Sequence, residues 1–224
     1  DYVVTKIPRF AFEKFAGAKD LLNTQMRSVG EAMGIGRTLQ ESMMKALASL
    51  EHHPEAVPEV PLSVDKISYP NSNRIYHLFQ AIREGYQLKE LVDLTGIDPY
   101  FLEKVEDVVR FEQRIKESGQ LNRDLVLGAK RLGLTDARIA KLLNLSEAQV
   151  STFRQQNMIT PCFSQVDTCA GEFQSQTPYF YSSYWSTVNE AKPQAEAIAI
   201  IGSGPNRIGQ GIEFDYSCVR GVKA

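Results

Sequence analysis

The chain is short of the residues that most often announce a function. Its 224 residues hold three cysteines, Cys162, Cys169 and Cys218, odd in number and irregular in spacing. That argues against a disulfide framework and against a zinc site, and fits a reducing, cytoplasmic setting. Histidine is equally sparse: His52-His53 and the distant His77 lack metal-ligand spacing, so no metal site is expected. The net charge of −2 gives no bulk attraction to nucleic acid or to an anionic membrane. No apolar run approaches the ~20 residues that span a bilayer. The opening Asp1-Tyr2-Val3-Val4 lacks the basic and apolar regions of a signal peptide, and also an initiator methionine, so it reads as the end of something. Ser151, Ser164 and Ser203 lack a G-x-S-x-G context, and no nucleophile–base pair stands out, so no catalytic residue is assigned.

What is present is mostly helical. Val3 and Val4 read as a short strand ending before Pro8, because proline cannot donate to a ladder. Thr38-Leu39-Gln40-Glu41 is a capping box opening a helix with Met43, Met44, Leu47 and Leu50 on one face. His52–Pro61, with three prolines, reads as a linker. From Ile75 to about Ile159 the spacing predicts six helices. The first carries Ile75, Leu78, Phe79 and Ile82. The second carries Leu88, Leu91, Val92 and Leu94 and stops at Gly96. The third opens at Asp98-Pro99 and carries Phe101, Leu102, Val105 and Val109. The fourth carries Leu125, Leu127 and Leu132, the fifth Ile139, Ala140, Leu142 and Leu143. The sixth opens at the Ser146–Gln149 capping box and carries Val150 and Phe153. Gly85–Asp98 and Gly133–Ser146 echo each other in their apolar and turn positions, which implies two helical pairs in one small all-α unit. Val166–Phe173 and Tyr179–Tyr184 are aromatic and β-branched and read as extended segments or a connector; Asn189–Glu196 reads as a second linker.

Three stretches invite a functional reading. Ala197–Ile201 leading into Gly202, Gly204, Gly209 and Gly211 reads as a buried parallel strand feeding a glycine-rich turn, the start of a fold left unfinished at Ala224. A dinucleotide fingerprint would want glycine where Arg207 stands, and a Walker lysine is absent. A ligand-lining loop and a structural turn, with Arg207 paired to Glu213 or Asp215, both remain open. Thr135–Gln155 has the outline of a helix–turn–helix, but its second helix offers only Arg154 as a cation, so helix packing is favoured over DNA binding. Leu21–Thr38 holds Gly30, Gly34 and Gly36, too many for a plain helix, and reads as a surface loop with ion pairs or as the wall of a polar cavity with Arg27, Glu31 and Arg37.

Together these stretches carry a resemblance. Asp1–Phe10 (DYVVTKIPRF) with Thr24–Thr38 (TQMRSVGEAMGIGRT), Val166–Ala170 (VDTCA), and Gly204–Tyr216 (GPNRIGQGIEFDY) resemble the large chain of the carbamoyl phosphate synthase family. The resemblance covers the whole chain, while the chain covers about a fifth of such a protein. It implies a mainly α fold: a helical oligomerisation domain (52–189, with its connector) flanked by incomplete α/β pieces of two ATP-grasp halves, the tail of the first at 1–51 and the first strand and glycine loop of the second at 190–224. It implies a ligase that makes carbamoyl phosphate from bicarbonate, glutamine-derived ammonia and two ATP, with Mg or Mn and K, in pyrimidine and arginine synthesis. None of its ATP or metal ligands falls on this chain. It further implies self-association through the helical domain, a glutamine amidotransferase small chain as partner, and no nucleic acid or membrane. Glu31, Arg207, Gly211 and Glu213 are then expected to line an internal carbamate tunnel. The alternatives left open are a free-standing helical adaptor and a nucleotide-binding enzyme using the 202–211 glycine loop.

Overall fold

The structure, a computed structural model, describes residues 2–50, 55–192, 196–200 and 219–224. The described residues are mainly α, with two small two-stranded antiparallel sheets. Strand β1 (Val3–Phe10) pairs with β2 (Ser28–Gly36) in the register Thr5↔Gly34 and Ile7↔Ala32. Helix α1 (Leu39–Ser49) lies across one face of this ribbon. Helices α2 (Val64–Ser68), α3 (Arg74–Arg83), α4 (Leu88–Thr95), α5 (Pro99–Ser118), α6 (Arg123–Arg131), α7 (Asp136–Leu143) and α8 (Glu147–Gln156) follow. Strands β3 (Cys162–Gln165) and β4 (Phe180–Ser183) then bring the chain back to the first ribbon.

The ribbon explains the crowded glycines. Gly30, Ala32, Gly34 and Gly36 recur at period 2, so they share the face that meets α1. A Cβ added at Gly34 would lie 2.1 Å from the carbonyl oxygen of Ser42, and one at Gly36 would lie 2.8 Å from the Ser42 nitrogen. Leu21–Thr38 is therefore no surface loop over Ser28–Gly36; it is a strand whose missing side chains let a helix backbone sit on it. The expected end of β1 before Pro8 is also corrected: the strand continues to Phe10, with Pro8 opposite Glu31. A two-stranded ribbon consists only of edge strands, where proline is tolerated.

The six helices expected from the apolar spacing are α3 to α8, and the expected caps Asp98 and Ser146 open α5 and α8; in the box expected at the start of α1, Thr38 caps but the Glu41 carboxylate takes the Arg37 amide instead of that of Thr38, and Thr135 is an unexpected cap. Thr38, Asp98, Thr135 and Ser146 each accept from a backbone N–H of their helix's first turn, and Gln149 reaches back to Ser146. The internal echo is real: α4 and α7 both end in a left-handed residue, Gly96 (φ 66°) and Asn144 (φ 54°), before a capped helix. The twenty-residue α5, ~30 Å long at 1.5 Å per residue, is the spine on which α1, α3, α4, α6 and α7 pack. One core runs through all of them. Met43, Met44 and Leu47 of α1 share it with Phe79, Leu91, Leu102, Val108, Leu134, Ile139 and Val150.

Several expectations fail locally. In α6, Val126 and Ala129 are buried, while Leu125 and Leu127 are only half-buried. Phe101, expected on the core face of α5, is half exposed and rests edge-on against Tyr100. The segment read as a linker plugs Ala56 and Val57 into the core, both essentially inaccessible; burial outweighs its proline content, and the His52–Pro54 part lies outside the described residues. Of the two segments read as extended, Tyr179–Tyr184 holds β4 as expected, while its partner strand falls at Cys162–Gln165, ahead of Val166–Phe173, where the Asp167 carboxylate accepts from the Cys169 and Gly171 amides in a tight turn. Ala197–Ile200 form no strand, and Ile198 is exposed. A parallel strand exists only through hydrogen-bonded neighbours, and no described residue supplies them. The glycine loop that follows lies outside the described residues.

Gly34→Ala forces its methyl into α1, where no flexible side chain can yield. We expect urea unfolding of the chain to show a loss of about 3 kcal/mol or more. Val29→Ala, on the exposed face of the same strand, should cost less than about 1 kcal/mol.

Candidate functional site

Of the four residues expected to line a tunnel, only Glu31 is described; Arg207, Gly211 and Glu213 lie outside the described residues. Glu31 sits on the outward face of β2, half exposed, and pairs with Lys6 of β1 at 2.7 Å. This is an exposed cross-strand ion pair of small energetic weight. Arg27 reaches Gln25 at 2.9 Å, and neither residue approaches Glu31 through a hydrogen bond.

The charges that the fold concentrates lie elsewhere, in three clusters. The first sits where α1 meets both sheets. Glu41 is fully buried; its Oε2 accepts from the Arg37 amide at 2.7 Å and from Ser183 Oγ at 3.0 Å, and its Oε1 lies 3.2 Å from Lys45 Nζ. Lys45 also donates to the carbonyls of Ile35 (2.8 Å) and Ser182. One helical turn thus ties β2, α1 and β4 together. Burial pushes the Lys45 ammonium down from its ordinary pKa, against the pull of Glu41.

The second cluster is at the centre of the helical body. Arg138 of α7, fully buried, grips Glu112 of α5 bidentately at 2.7 Å and 2.7 Å, and Arg83 of α3 donates to the same carboxylate at 3.0 Å. The third joins α6, α7 and α8. Asp136 accepts from Arg154 through two nitrogens, at 2.9 and 2.8 Å, and from Lys130 at 2.9 Å. Arg154 also donates to the Ile159 carbonyl at 3.2 Å. The one cation of the would-be DNA-reading helix is therefore spent inside the protein. Arg131 lies 4.8 Å from the Trp185 ring and donates to the Tyr184 carbonyl, while Trp185 Nε1 donates back to the Arg131 carbonyl at 2.9 Å, which fastens the return segment to α6.

His77 is buried in α3, and burial, with Lys66 nearby, lowers its pKa, keeping it a neutral core residue. Among the described residues no three His, Cys, Asp or Glu side chains converge on a common point, and no helix is long and apolar enough to cross a membrane. Cys162 and Cys169 are free thiols.

The described geometry is that of a body built to hold its parts in place, and comparison with known proteins says which. The family model described as "Carbamoyl-phosphate synthetase large chain, oligomerisation domain" matches residues 31–158. The chain belongs to the carbamoyl phosphate synthase large-chain family. A second model, "Carbamoyl phosphate synthase preATP-grasp domain", matches residues 194–224. The carbamoyl phosphate synthase large chain of Vibrio cholerae is 46% identical over 235 residues, covering 100% of this chain and 22% of the relative. That of Thermotoga neapolitana is 48% identical over 227 residues (100% and 20%), and that of Methanothermobacter thermautotrophicus 42% over 224 residues (100% and 21%). The chain spans about a fifth of the length of the relatives it matches. These matches agree with the resemblance drawn from the quoted stretches.

Sequence reasoning missed the three charge clusters. Glu112 and Arg138 are 26 positions apart, and no local spacing marks them. The signal available was burial: both stand at positions facing the apolar stripe of their helices.

Asp136 supplies a pH test. Burial pushes its carboxyl up, but the hydrogen bond from Arg154 and the charge and hydrogen bond of Lys130 outweigh this, and the net pKa falls below the ordinary 3.8. A depressed folded pKa contributes stability that is complete above the unfolded value and disappears as pH falls through the folded one. The melting-temperature difference between the chain and its Asp136→Asn variant should be constant from pH 7 to about 4 and shrink below that. A difference that shrinks between pH 5 and 7 instead would reject this ionisation state.

Proposed function

We propose that this chain is an internal section of the enzyme that makes carbamoyl phosphate from bicarbonate, glutamine-derived ammonia and two ATP. In this reading residues 1–51 end the first ATP-grasp half, residues 52–189 form the oligomerisation domain with its return connector, and residues 190–224 begin the second half. The parent acts in the cytoplasm, for pyrimidine and arginine synthesis, together with a glutamine amidotransferase small chain. ATP, with Mg or Mn and K, supplies the phosphoryl chemistry and is held by other parts of the large chain. The observation that carries the reading is the alignment of the whole chain, at 42 to 48% identity, with about a fifth of each large chain.

The physical work assigned to this section is spacing and association. The helical body leaves the first ribbon through α1 and returns beside it: Tyr2 Oη donates to the Asp167 carbonyl at 2.7 Å, and the Tyr2 and Tyr181 rings lie 5.5 Å apart. Entrance and exit are adjacent, so the helices project from the junction of the two halves without driving them apart. Self-association through this projecting body joins whole enzymes without disturbing the junction. At the junction, Glu31, Arg207, Gly211 and Glu213 are assigned to the wall of the carbamate route. Carbamate is a labile anion that needs a water-poor path. Glycine at position 211 keeps the bore open because no Cβ projects, the Arg207 guanidinium offers a planar fork to a carboxylate-like ligand, and the glutamates hold the arginine in place or handle protons.

Two experiments test this. Sedimentation of the 224-residue chain at micromolar concentration should reveal species larger than a monomer; a strict monomer across that range speaks against association through the helical body. In the full-length large chain, Gly211→Leu should leave partial ATP hydrolysis running while carbamoyl phosphate formation falls. Unchanged coupling would remove Gly211 from the tunnel wall.

A further inference from the structure

Helix α8 is held to the body by Val150, its one fully buried side chain, and by Arg154, which turns inward to Asp136. The face it shows outward carries no charge. Ala148, Gln149, Thr152, Gln155 and Gln156 are all exposed, and at ~100° per residue they share about a third of the helix circumference. Glu147, the other charged residue of α8, stands at the first helical position and outside that arc. Surface helices ordinarily put charge on the side away from the core. In this chain α5 does so, with Glu103, Asp107, Arg110 and Glu117 exposed.

A groove of about 380 Å³ runs beside the neutral arc, between α8 and the turn that follows α5. Leu121 from that turn and Phe153 of α8 line it, together with Ala148, Gln149, Thr152 and Gln156. Its walls are therefore apolar side chains, amides and a hydroxyl. A partner recognised by its charge finds nothing to pair with here. A second copy of the same surface is in the opposite position. In a two-fold contact a patch meets itself, so a charge near the axis would face its own copy and repel it. A face with a neutral centre escapes that penalty, and depletion of charge is the compositional mark of the centre of an interface. The family model that matches residues 31–158, α8 included, is described as an oligomerisation domain.

We propose that the outward face of α8, with the groove beside it, is where a second copy of this chain docks, α8 against α8 about a two-fold axis that passes near Thr152. The proposal rests on the self-association assigned above to the helical body, and names the face that carries it. Thr152 lies near the middle of the ten-residue helix and within the neutral arc, so it is the residue that meets its own copy. The glutamines around it suit such a contact, because an amide both donates and accepts and so pairs with an identical amide. Leu121 and Phe153 supply the apolar surface that leaves water. A contact built on one short helix and a groove lies below the ~1,200 Å² of standard interfaces, so the association is reversible and concentration-dependent.

The test is sedimentation of the 224-residue chain across the micromolar range beside its Thr152→Glu and Thr152→Lys variants. Thr152 is exposed, so both variants should keep the parent's melting temperature. Each alone should need about tenfold more protein, or greater, to associate, because like charges meet at the axis. An equimolar mixture of the two should associate at least as well as the parent, since Glu then faces Lys. Lys89→Glu, on the exposed side of α4, should associate as the parent does. Association that persists unchanged in both Thr152 variants overturns the α8 face and leaves self-association standing on another surface. A mixture no better associated than its parts also overturns it, because a two-fold contact must bring position 152 against itself. An equal loss in Lys89→Glu does the same, by tracing the effect to net charge. A parent chain that is monomeric throughout rejects the face together with the self-association on which it rests.

Discussion

The rest of the molecule depends on how closely α1 can be approached. Two strand glycines, Gly34 and Gly36, touch its backbone from one side, and Gly133, at the turn after α6, touches it from the other: a Cβ there would lie 2.9 Å from the Glu41 carbonyl oxygen. Gly133 also sits at φ 85°, where a side chain is strained whatever the space. With both flanks free of Cβ atoms, α1 is clasped between the ribbon and the helical body. Its apolar face, Met43, Met44 and Leu47, then joins the common core. The β ribbon and the helices are thus mechanically one piece at this point. Interdigitation at native density leaves no slack for one to move without the other.

Charge refines what packing begins. The approach of α1 buries Glu41, and a buried carboxylate must be answered. It is answered by the Arg37 amide, Lys45 and Ser183, which come from both ends of the excursion through the helices. The clusters at Glu112 and Asp136 work in the same way on a different set of elements. Each places one carboxylate on one helix and its cations on two others, so three helices are fixed by a single acidic residue. Removing one partner of such a buried set typically costs about 3–5 kcal/mol, because the remaining charge has no water to turn to. That cost fixes the mutual register of α3, α5 and α7, which apolar contacts alone would leave more degenerate.

How much of this was legible in the sequence follows from the range of each interaction. The helices and their ends were legible because caps and apolar periodicity act over three or four residues: Thr38, Asp98 and Ser146 cap as expected, and Gly96 and Asn144 terminate as the internal echo implied. The Gly30–Gly36 strand was misread because glycine carries no hydrophobic signal. Its period of 2 is visible only as an alternation of small residues, and its cause, the backbone of α1, lies on another element. Val57 was misread because proline-rich composition reports on local backbone preference and is silent about an apolar side chain finding a hole between helices. For the charge clusters the sequence marks only that Glu112 and Arg138 stand on apolar stripes; which partner each one meets is decided by the fold. Of the expected site, Glu31 is on an exposed strand face, and the identification rested on the quoted stretches, with spacing contributing little.

The geometry of the return bears on why an associating body would be inserted at such a place. The chain enters the helices at Thr38 and is back against β2 and α1 by Ser183, where Lys45 and Glu41 hold it. Tyr184 and Trp185 then anchor on α6 through Arg131 and the ring faces. An insertion whose two ends are pinned side by side transmits little of its own motion to what it is inserted between, because its attachment points cannot separate. It does transmit a rotation of α1, since both attachment points are hydrogen-bonded to that one helix. In the proposed reading, partners gathered by the helical body would therefore leave the spacing of the two catalytic halves intact, with α1 and the Tyr2–Asp167 contact as two places where the body meets the first half. The residues around Glu41, and the glycine contacts that hold α1 against the ribbon, are where the helical body, the ribbon and the return strand meet.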